Sequence, residues 1–238
     1  MDIGLIAKGI SVWAVPVLMA IILHEVAHGW MAEKFGDNTA RKAGRITLNP
    51  LSHVDPIGTV ILPLVLLIMK SPFLFGWAKP VPVNFAALRN PKRDMIWVSL
   101  AGPGTNFFLA LASAILIRVI IVLEPNAINF ANSEVSPEVL RDIGVGVSIL
   151  VPILLMLKAS IIINSVLMVL NLIPVPPLDG GRVLVGMLPR NAAYSYSKVE
   201  PFGIFIVLAL IFFLPPTKEL FLGFINFFIT IFSMVAAY

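Results

Sequence analysis

IILHEVAHGWMAEKFGD, residues 21–37, places two histidines and a glutamate directly after an apolar run. The run covers residues 12–23 and contains no charged side chain. Ionisable side chains at membrane depth are costly, and they are usually present for a function. We therefore expect a membrane-embedded helix here, and we expect His24, Glu25 and His28 to carry chemistry inside a lipid bilayer.

The composition of the chain is that of an integral membrane protein. Its 238 residues are 58% hydrophobic and only 13% charged, whereas a soluble domain carries about 25% charged residues. No polar segment is long enough to bury a core of its own, so we expect one membrane-embedded domain over residues 1–238, without a PDZ or CBS domain. Cysteine is absent, so a metal would need nitrogen and oxygen ligands. The net charge is +4, but the sequence has no basic patch with interleaved aromatic residues. The positive charge therefore indicates a role in membrane topology and argues against nucleic acid as a partner.

Apolar stretches along the chain predict an all-α bundle of five to six transmembrane helices. A spanning helix needs about 20 apolar residues. The apolar stretches are, in chain order, 10–30, 57–69, 95–123, 143–173, 202–214 and 220–238. The stretches 57–69 and 202–214 are short, so whether each of them crosses the bilayer stays open.

The region of about residues 40–90 predicts a small membrane-associated β-sheet or hairpin beside the helices. Residues 45–48, Arg-Ile-Thr-Leu, alternate as a short strand does. The later stretch GWAKPVPVN, residues 76–84, alternates valine and proline and suits an extended edge strand. We expect the segments 45–49 and 81–85 to offer an edge to an unwound substrate.

Lysine and arginine predict the orientation in the membrane, because they concentrate in cytoplasmic loops. Between residues 33 and 94 there are nine, whereas the loop 124–142 has one, Arg141. The nine are Lys34, Arg41, Lys42, Arg45, Lys70, Lys79, Arg89, Lys92 and Arg93. We expect the region 33–94 to face the cytoplasm, and the N-terminus and the loop 124–142 to lie outside. Both flanks of 57–69 are basic, which favours a re-entrant or surface-lying element there.

His24, Glu25 and His28 form the H-E-x-x-H arrangement of metal-dependent hydrolases. Residues four apart share a helix face, so both imidazoles can reach one zinc ion. Glu25 lies about 100° around the helix from His24, where it can touch a zinc-bound water without binding the metal. The alternative is a pair of histidines that are hydrogen-bonded inside a helix bundle.

A third metal ligand is needed, because a catalytic zinc usually has three protein ligands and a water. The candidates are His53 and the carboxylates at the ends of apolar segments. Asp179 stands out, since it follows a long apolar run in NLIPVPPLDGGR, residues 171–182, where prolines end the helix and two glycines allow a tight turn. The alternative is that Asp179 only caps the helix after it.

Three motifs in order, HEVAH at 24–28, AGPGTN at 101–106 and NLIPVPPLDGGR at 171–182, together resemble the site-2 protease family of intramembrane zinc metalloproteases, peptidase family M50. NPLSHVDPIGTVILP and GWAKPVPVN resemble its compact prokaryotic branch, which lacks a PDZ domain. The resemblance implies that His24, His28 and Asp179 bind one zinc ion per chain and that Glu25 is the general base.

Asn106 and His53 match further positions of the family pattern. The resemblance places Asn106 in the G-P-x-x-N motif, where an amide donor can stabilise an oxyanion or hold a substrate strand. The alternative is an asparagine that bridges helices, as membrane bundles often use. His53 matches a loop histidine of the compact branch and can donate to the developing oxyanion; its alternative is an ordinary surface-loop histidine.

The predicted function is that of a zinc metalloendopeptidase in the plasma membrane of a prokaryote, with an active site that opens toward the cytoplasm. We expect it to cut transmembrane proteins or membrane peptides within or at the edge of a spanning segment. The resemblance implies substrates such as membrane-anchored regulators, anti-sigma factors or leftover signal peptides. The alternatives are a membrane metal transporter, which usually has repeated halves that we do not find, and a membrane-anchored zinc peptidase that acts on soluble peptides.

Overall fold

The structure is a computed structural model that describes residues 3–69, 76–132 and 145–237. Its described residues are mainly helical. The α-helices are α1 (Ile3–Lys34), α2 (Thr39–Lys42), α3 (Leu62–Ile68), α4 (Pro91–Leu123), α5 (Pro125–Asn132), α6 (Val145–Asn171), α7 (Asp179–Met187), α8 (Arg190–Ser197), α9 (Gly203–Phe213) and α10 (Pro215–Ala236).

Among the residues that the structure describes, five helical segments are long and apolar enough to cross a membrane. They are Gly9–Lys34, Pro91–Leu123, Gly146–Asn171, Arg190–Phe213 and Pro215–Ala236. Large apolar side chains such as Phe108, Phe205 and Phe213 are exposed on them, as they are on helices that face lipid rather than water. The prediction of an all-α membrane protein is therefore confirmed for its helices, with five candidate spans.

The two short apolar stretches differ in the structure. Pro56–Ile68, a π-helical turn that continues into α3, is too short to be one of the five candidate spans. The stretch 202–214 belongs to the candidate span Arg190–Phe213, in which α8, a 3-10 turn at Glu200–Phe202 and α9 follow one another.

The predicted β-sheet or hairpin at 40–90 is wrong for the residues described there, 40–69 and 76–90, which contain no strand. The segment 76–84 is extended, but its backbone donors bond to groups other than a neighbouring strand. The N–H of Lys79 donates to the His53 carbonyl, and the N–H of Val81 donates to a carboxylate. Pro80 and Pro82 have no N–H to donate. The alternation of valine and proline therefore marks an extended segment that is held through the N–H groups of Lys79 and Val81 and not by a neighbouring strand.

The chain divides into two compact units, and the first comprises Met1–Ala20, Pro103–Ile173 and Ile204–Tyr238. Alanines at positions 110, 114 and 127 are fully buried in its core, together with Phe232. The Phe107 and Phe232 rings meet edge to face, with centroids 5.5 Å apart. Helices in lipid associate by close packing, which small residues allow, and these alanines supply it.

The second unit comprises Ile21–Gly102 and Pro174–Gly203. Its core contains Ala32 of α1 and Val98 of α4. Asp37, which is buried, fastens the turn after α1: its carboxylate accepts hydrogen bonds from the N–H groups of Thr39 and Asn84, at 2.9 and 2.6 Å. The second unit thus holds the extended segment 76–84 close to the end of α1.

Candidate metal centre

His24, His28 and Asp179 converge on one point inside the second unit. The His24 and His28 Nε2 atoms are 3.1 Å apart, and each lies 3.2 Å from Asp179 Oδ2. All three residues are buried or nearly so. In the described part of the chain, they are the one group of three or more histidines and carboxylates that places its ligand atoms together.

The spacing of these three atoms fits a tetrahedral metal ion. Ligands about 2.0–2.1 Å from a zinc at tetrahedral angles are about 3.3–3.4 Å apart, close to the distances between the three atoms here. Asp179 Oδ2 is buried and has no hydrogen-bond donor. A buried carboxylate oxygen without a donor is costly, and a shared cation would satisfy it.

The orientation of His28 is set by a backbone carbonyl. Its Nδ1 lies 2.7 Å from the buried Val98 oxygen and donates to it, so in the neutral ring Nε2 carries a lone pair toward Asp179. Metal-bound histidines usually make such a second hydrogen bond, which fixes the tautomer and the ring. Sequence reasoning did not find Val98, because its contribution is a carbonyl that every residue has.

Gly102 leaves the space beside the two imidazoles open. A Cβ at this position would lie 2.4 Å from His28 Nε2 and 2.6 Å from His24 Nε2, which is far inside van der Waals contact. The first glycine of the AGPGTN motif therefore keeps a side chain away from the two imidazole nitrogens, where a bound ion and its water would need room.

Asp179 is held at the site by the loop that precedes α7. It is the first residue of α7, and the N-cap is Leu178, which makes no side-chain cap hydrogen bond, so Asp179 does not cap the helix. A Cβ on Gly181 would lie 2.1 Å from the Pro176 nitrogen, so the loop can pass over the first turn only because residue 181 is glycine. Burial raises the pKa of the Asp179 carboxyl, but the imidazoles of His28 and His24, when protonated, outweigh it and lower that pKa below its usual value.

Glu25 points to the extended segment of the second unit. Its Oε2 accepts a 2.7 Å hydrogen bond from the backbone N–H of Val81. The carboxylate is not one of the three converging ligands. Glu25 follows His24 in the sequence, and the Val81 N–H holds one of its carboxylate oxygens. A carboxylate placed in this way can accept and donate a proton beside a metal site.

His53 is buried rather than exposed on a surface loop, and it is not part of the converging group. Its Nε2 lies 2.9 Å from the Thr47 carbonyl, and its own carbonyl accepts from the N–H of Lys79. Its Nδ1 is buried without a hydrogen-bond partner. His53 thus ties its loop to the segment that also holds Glu25.

Asn106 is fully buried in the first unit and bridges helices there. Its amide nitrogen donates to the Ala20 carbonyl at 3.3 Å and to Asn164 Oδ1 at 2.8 Å. Asn164 in turn donates to Ser160, whose hydroxyl is 2.9 Å from that of Ser113. Sequence reasoning assigned no role to Asn164, although an amide in the middle of the apolar run 143–173 was a signal for one.

Comparison with known proteins gives a consistent result. The family model for Peptidase family M50 matches residues 12–214. The "Putative zinc metalloprotease YwhC" of Bacillus subtilis is 33% identical over 196 residues, which cover 82% of this chain and 78% of that protein. The "Putative zinc metalloprotease Rip2" of Mycobacterium tuberculosis is 30% identical over 201 residues, which cover 84% of this chain and 65% of that protein. No solved structure matches the chain.

Proposed function

The chain belongs to peptidase family M50, and from this premise we propose that it is a zinc-dependent protease that hydrolyses peptide bonds within or at the edge of transmembrane segments. The observation that carries the proposal is the convergence of His24 Nε2, His28 Nε2 and Asp179 Oδ2 at 3.1–3.2 Å. Two of these residues lie in the candidate span Gly9–Lys34.

His24, His28 and Asp179 are the proposed ligands of one zinc ion. A zinc ion with three protein ligands lowers the pKa of its bound water toward ~7 and polarises a carbonyl. The chain contributes the arrangement around it: the Val98 carbonyl orients His28, and Gly102 leaves the approach to the nitrogens open.

Glu25 is the proposed general base. A carboxylate in this position takes a proton from the attacking water and returns it to the leaving amine. The Val81 N–H holds Oε2 in place, which leaves the other carboxylate oxygen for the proton. Positioning of this kind counts in catalysis, because a small displacement of a base costs much of its rate.

Asn106 and His53 are proposed here in the supporting roles that their contacts favour. Asn106 gives both amide hydrogens to helix partners, so it would have to release one of them to donate to an oxyanion. His53 donates from Nε2 to Thr47, so its neutral ring has a lone pair at Nδ1 and no second proton to donate. We propose that both residues hold backbone and helices in place.

The substrates proposed are transmembrane proteins or membrane peptides, cut close to one membrane surface. His28 is six residues before Lys34, the last residue of its candidate span, which is about 9 Å along a helix. Water can reach a site at that depth from the near side. The excess of lysine and arginine in 33–94 makes the cytoplasmic side of the plasma membrane our proposal for that surface.

The test is cleavage of a reporter with a single transmembrane segment by the purified full-length chain, together with zinc analysis. Glu25→Gln should keep zinc and lose cleavage, whereas Asp179→Asn should lose zinc. Glu33→Gln is the matched control, because Glu33 lies on the same helix and pairs with Arg41.

Three results would contradict the proposal at separate points. Normal turnover by Glu25→Gln would remove the base. Full activity after a chelator has stripped the metal would remove zinc. Cleavage of soluble peptides with no cleavage of the transmembrane reporter would favour a membrane-anchored peptidase.

A further inference from the structure

A basic cavity of about 610 Å³ lies where the start of α4 meets the junction of α7 and α8 in the second unit. Its charged lining comes from Lys92, Arg93 and Arg190, and its apolar lining includes Met95, Val185 and Ala193. The metal centre and the proposed proteolysis use none of these side chains.

The cavity lies at the ends of two candidate membrane spans. Pro91–Leu123 begins one residue before Lys92, and Arg190–Phe213 begins at Arg190 itself. The apolar stretch of α4 starts next to the cavity, whereas α8, RNAAYSYS, is polar and precedes the apolar stretch 202–214. The cavity therefore lies where polar residues lead into two apolar stretches, as at the boundary between lipid and water. Trp97, half exposed one to two turns further along α4, fits this level, because tryptophan concentrates at membrane interfaces.

The charge of the cavity is not neutralised by nearby acids. Lys92 donates to the Leu188 carbonyl, which is uncharged. Among the described residues, no salt bridge engages Lys92, Arg93 or Arg190. The nearest acid in the sequence, Asp94, is buried and accepts a hydrogen bond from the Asn90 N–H. Asp94 does not line the basic cavity; it lines a neighbouring one, which shares Asn90 and Arg93 with it.

We propose that this cavity binds the phosphate group of an anionic phospholipid headgroup. Lysine and arginine side chains are the usual protein partners of phosphate, and basic pockets between transmembrane helices bind anionic headgroups. The apolar wall of Met95, Val185 and Ala193 suits the part of the lipid that follows the phosphate. A bound headgroup joins the first turn of α4 to the chain that follows α7, the helix that begins at Asp179.

The experiment measures binding of short-chain lipids to the purified full-length protein in detergent, by native mass spectrometry. Dioctanoyl phosphatidylglycerol should bind more tightly than dioctanoyl phosphatidylcholine. Each basic side chain near an anionic headgroup contributes on the order of fivefold in affinity. The triple variant Lys92→Gln, Arg93→Gln, Arg190→Gln should therefore lose about 100-fold of its phosphatidylglycerol affinity.

Two further variants make the result specific. Lys42→Gln, Lys198→Gln, Lys218→Gln removes the same charge from exposed positions that do not line the cavity, and it should retain the lipid preference. The double variant Arg93→Gln, Arg190→Gln keeps the hydrogen bond from Lys92 to the Leu188 carbonyl, so it separates loss of binding from loss of structure. Its phosphatidylglycerol affinity should fall about 25-fold.

Equal affinity for the two lipids would overturn the proposal, and so would equal losses in the triple variant and its charge-matched control. Inorganic phosphate and glycerol 3-phosphate serve as competitors. If either binds as tightly as phosphatidylglycerol, the cavity is a site for a free phosphate anion and the lipid assignment is wrong. None of these readouts depends on zinc or on proteolysis.

Discussion

The carboxylate of Glu25 and the backbone N–H of Val81, 56 positions apart in the chain, are joined by a hydrogen bond of 2.7 Å. Val81 lies between two prolines, so its N–H is the one backbone donor among residues 80–82. The side chain next to the proposed metal ligand His24 is thus held by the single N–H that residues 80–82 offer.

Val81→Pro should slow turnover without loss of zinc, because it removes the N–H that holds Glu25. A hydrogen bond to a charged group is worth about 1.5–3 kcal/mol, which corresponds to roughly 10- to 100-fold in kcat. Val81→Ala, which keeps the N–H, is the control. The measurement is kcat and KM on a transmembrane reporter with zinc content in parallel. A Val81→Pro enzyme as fast as Val81→Ala would show that the bond does not matter.

Gly102→Ala should remove zinc and activity, since the new Cβ would lie 2.4 Å from His28 Nε2. Gly104→Ala offers a control two positions along the same helix, where a Cβ meets nothing within 4 Å. The control should keep zinc and gain up to ~1 kcal/mol of stability from the better helix propensity of alanine. Zinc content and thermal unfolding distinguish the two variants, and equal zinc occupancy in both would contradict the close approach.

Asn164→Ala should destabilise the first unit, because it leaves the buried Asn106 amide without its 2.8 Å acceptor. Interhelical hydrogen bonds in membrane proteins are worth about 0.6 kcal/mol on average and up to about 1.7 kcal/mol. Ser165→Ala is the control, since the buried Ser165 hydroxyl next to Asn164 has no hydrogen-bond partner. Unfolding in mixed detergent would measure the difference, and the idea fails if the serine variant loses as much stability as the asparagine variant.

Asp37→Asn should destabilise the second unit at neutral pH. Burial raises the pKa of Asp37, but hydrogen bonds from Thr39 and Asn84 outweigh it and lower that pKa. A carboxyl whose pKa is lowered by folding contributes stability above its unfolded pKa of about 4 and loses it as the pH falls through the folded value. We expect a loss of about 1–3 kcal/mol at pH 7.

The difference in stability between the wild type and Asp37→Asn should therefore shrink as the pH falls below about 4. Glu219→Gln, at an exposed acid of α10, is the control and should leave the unfolding midpoint unchanged. A difference that stays constant from pH 7 to pH 3 would mean that the ionised form of Asp37 is not what stabilises the turn.

Local patterns in the sequence were sufficient to predict the helices and part of the candidate metal centre. Apolar runs of membrane length predict spanning helices, because lipid leaves the backbone no other hydrogen-bonding partners than its own. His24 and His28 are neighbours because a helix turn brings positions four apart together. Both inferences depend only on residues that are close together in the sequence.

The predicted β-hairpin is wrong because strand pairing depends on residues that are distant in the sequence. Alternation of apolar residues in 76–84 correctly indicates extended backbone, but it does not say what the backbone bonds to. In the folded chain its donors go to the His53 carbonyl and the Glu25 carboxylate, so no ladder forms. Pairing partners are long-range, and an alternating pattern contains no information about them.

The rest of the candidate site depends on contacts between distant parts of the chain. The motif indicated Asp179, but only the tertiary structure brings Asp179 Oδ2 to 3.2 Å from both imidazoles. The Val98 carbonyl, the Val81 N–H and the space beside Gly102 could not be found in advance. Every residue has nearly the same backbone groups, so the path of the chain chooses which N–H or carbonyl meets a side chain.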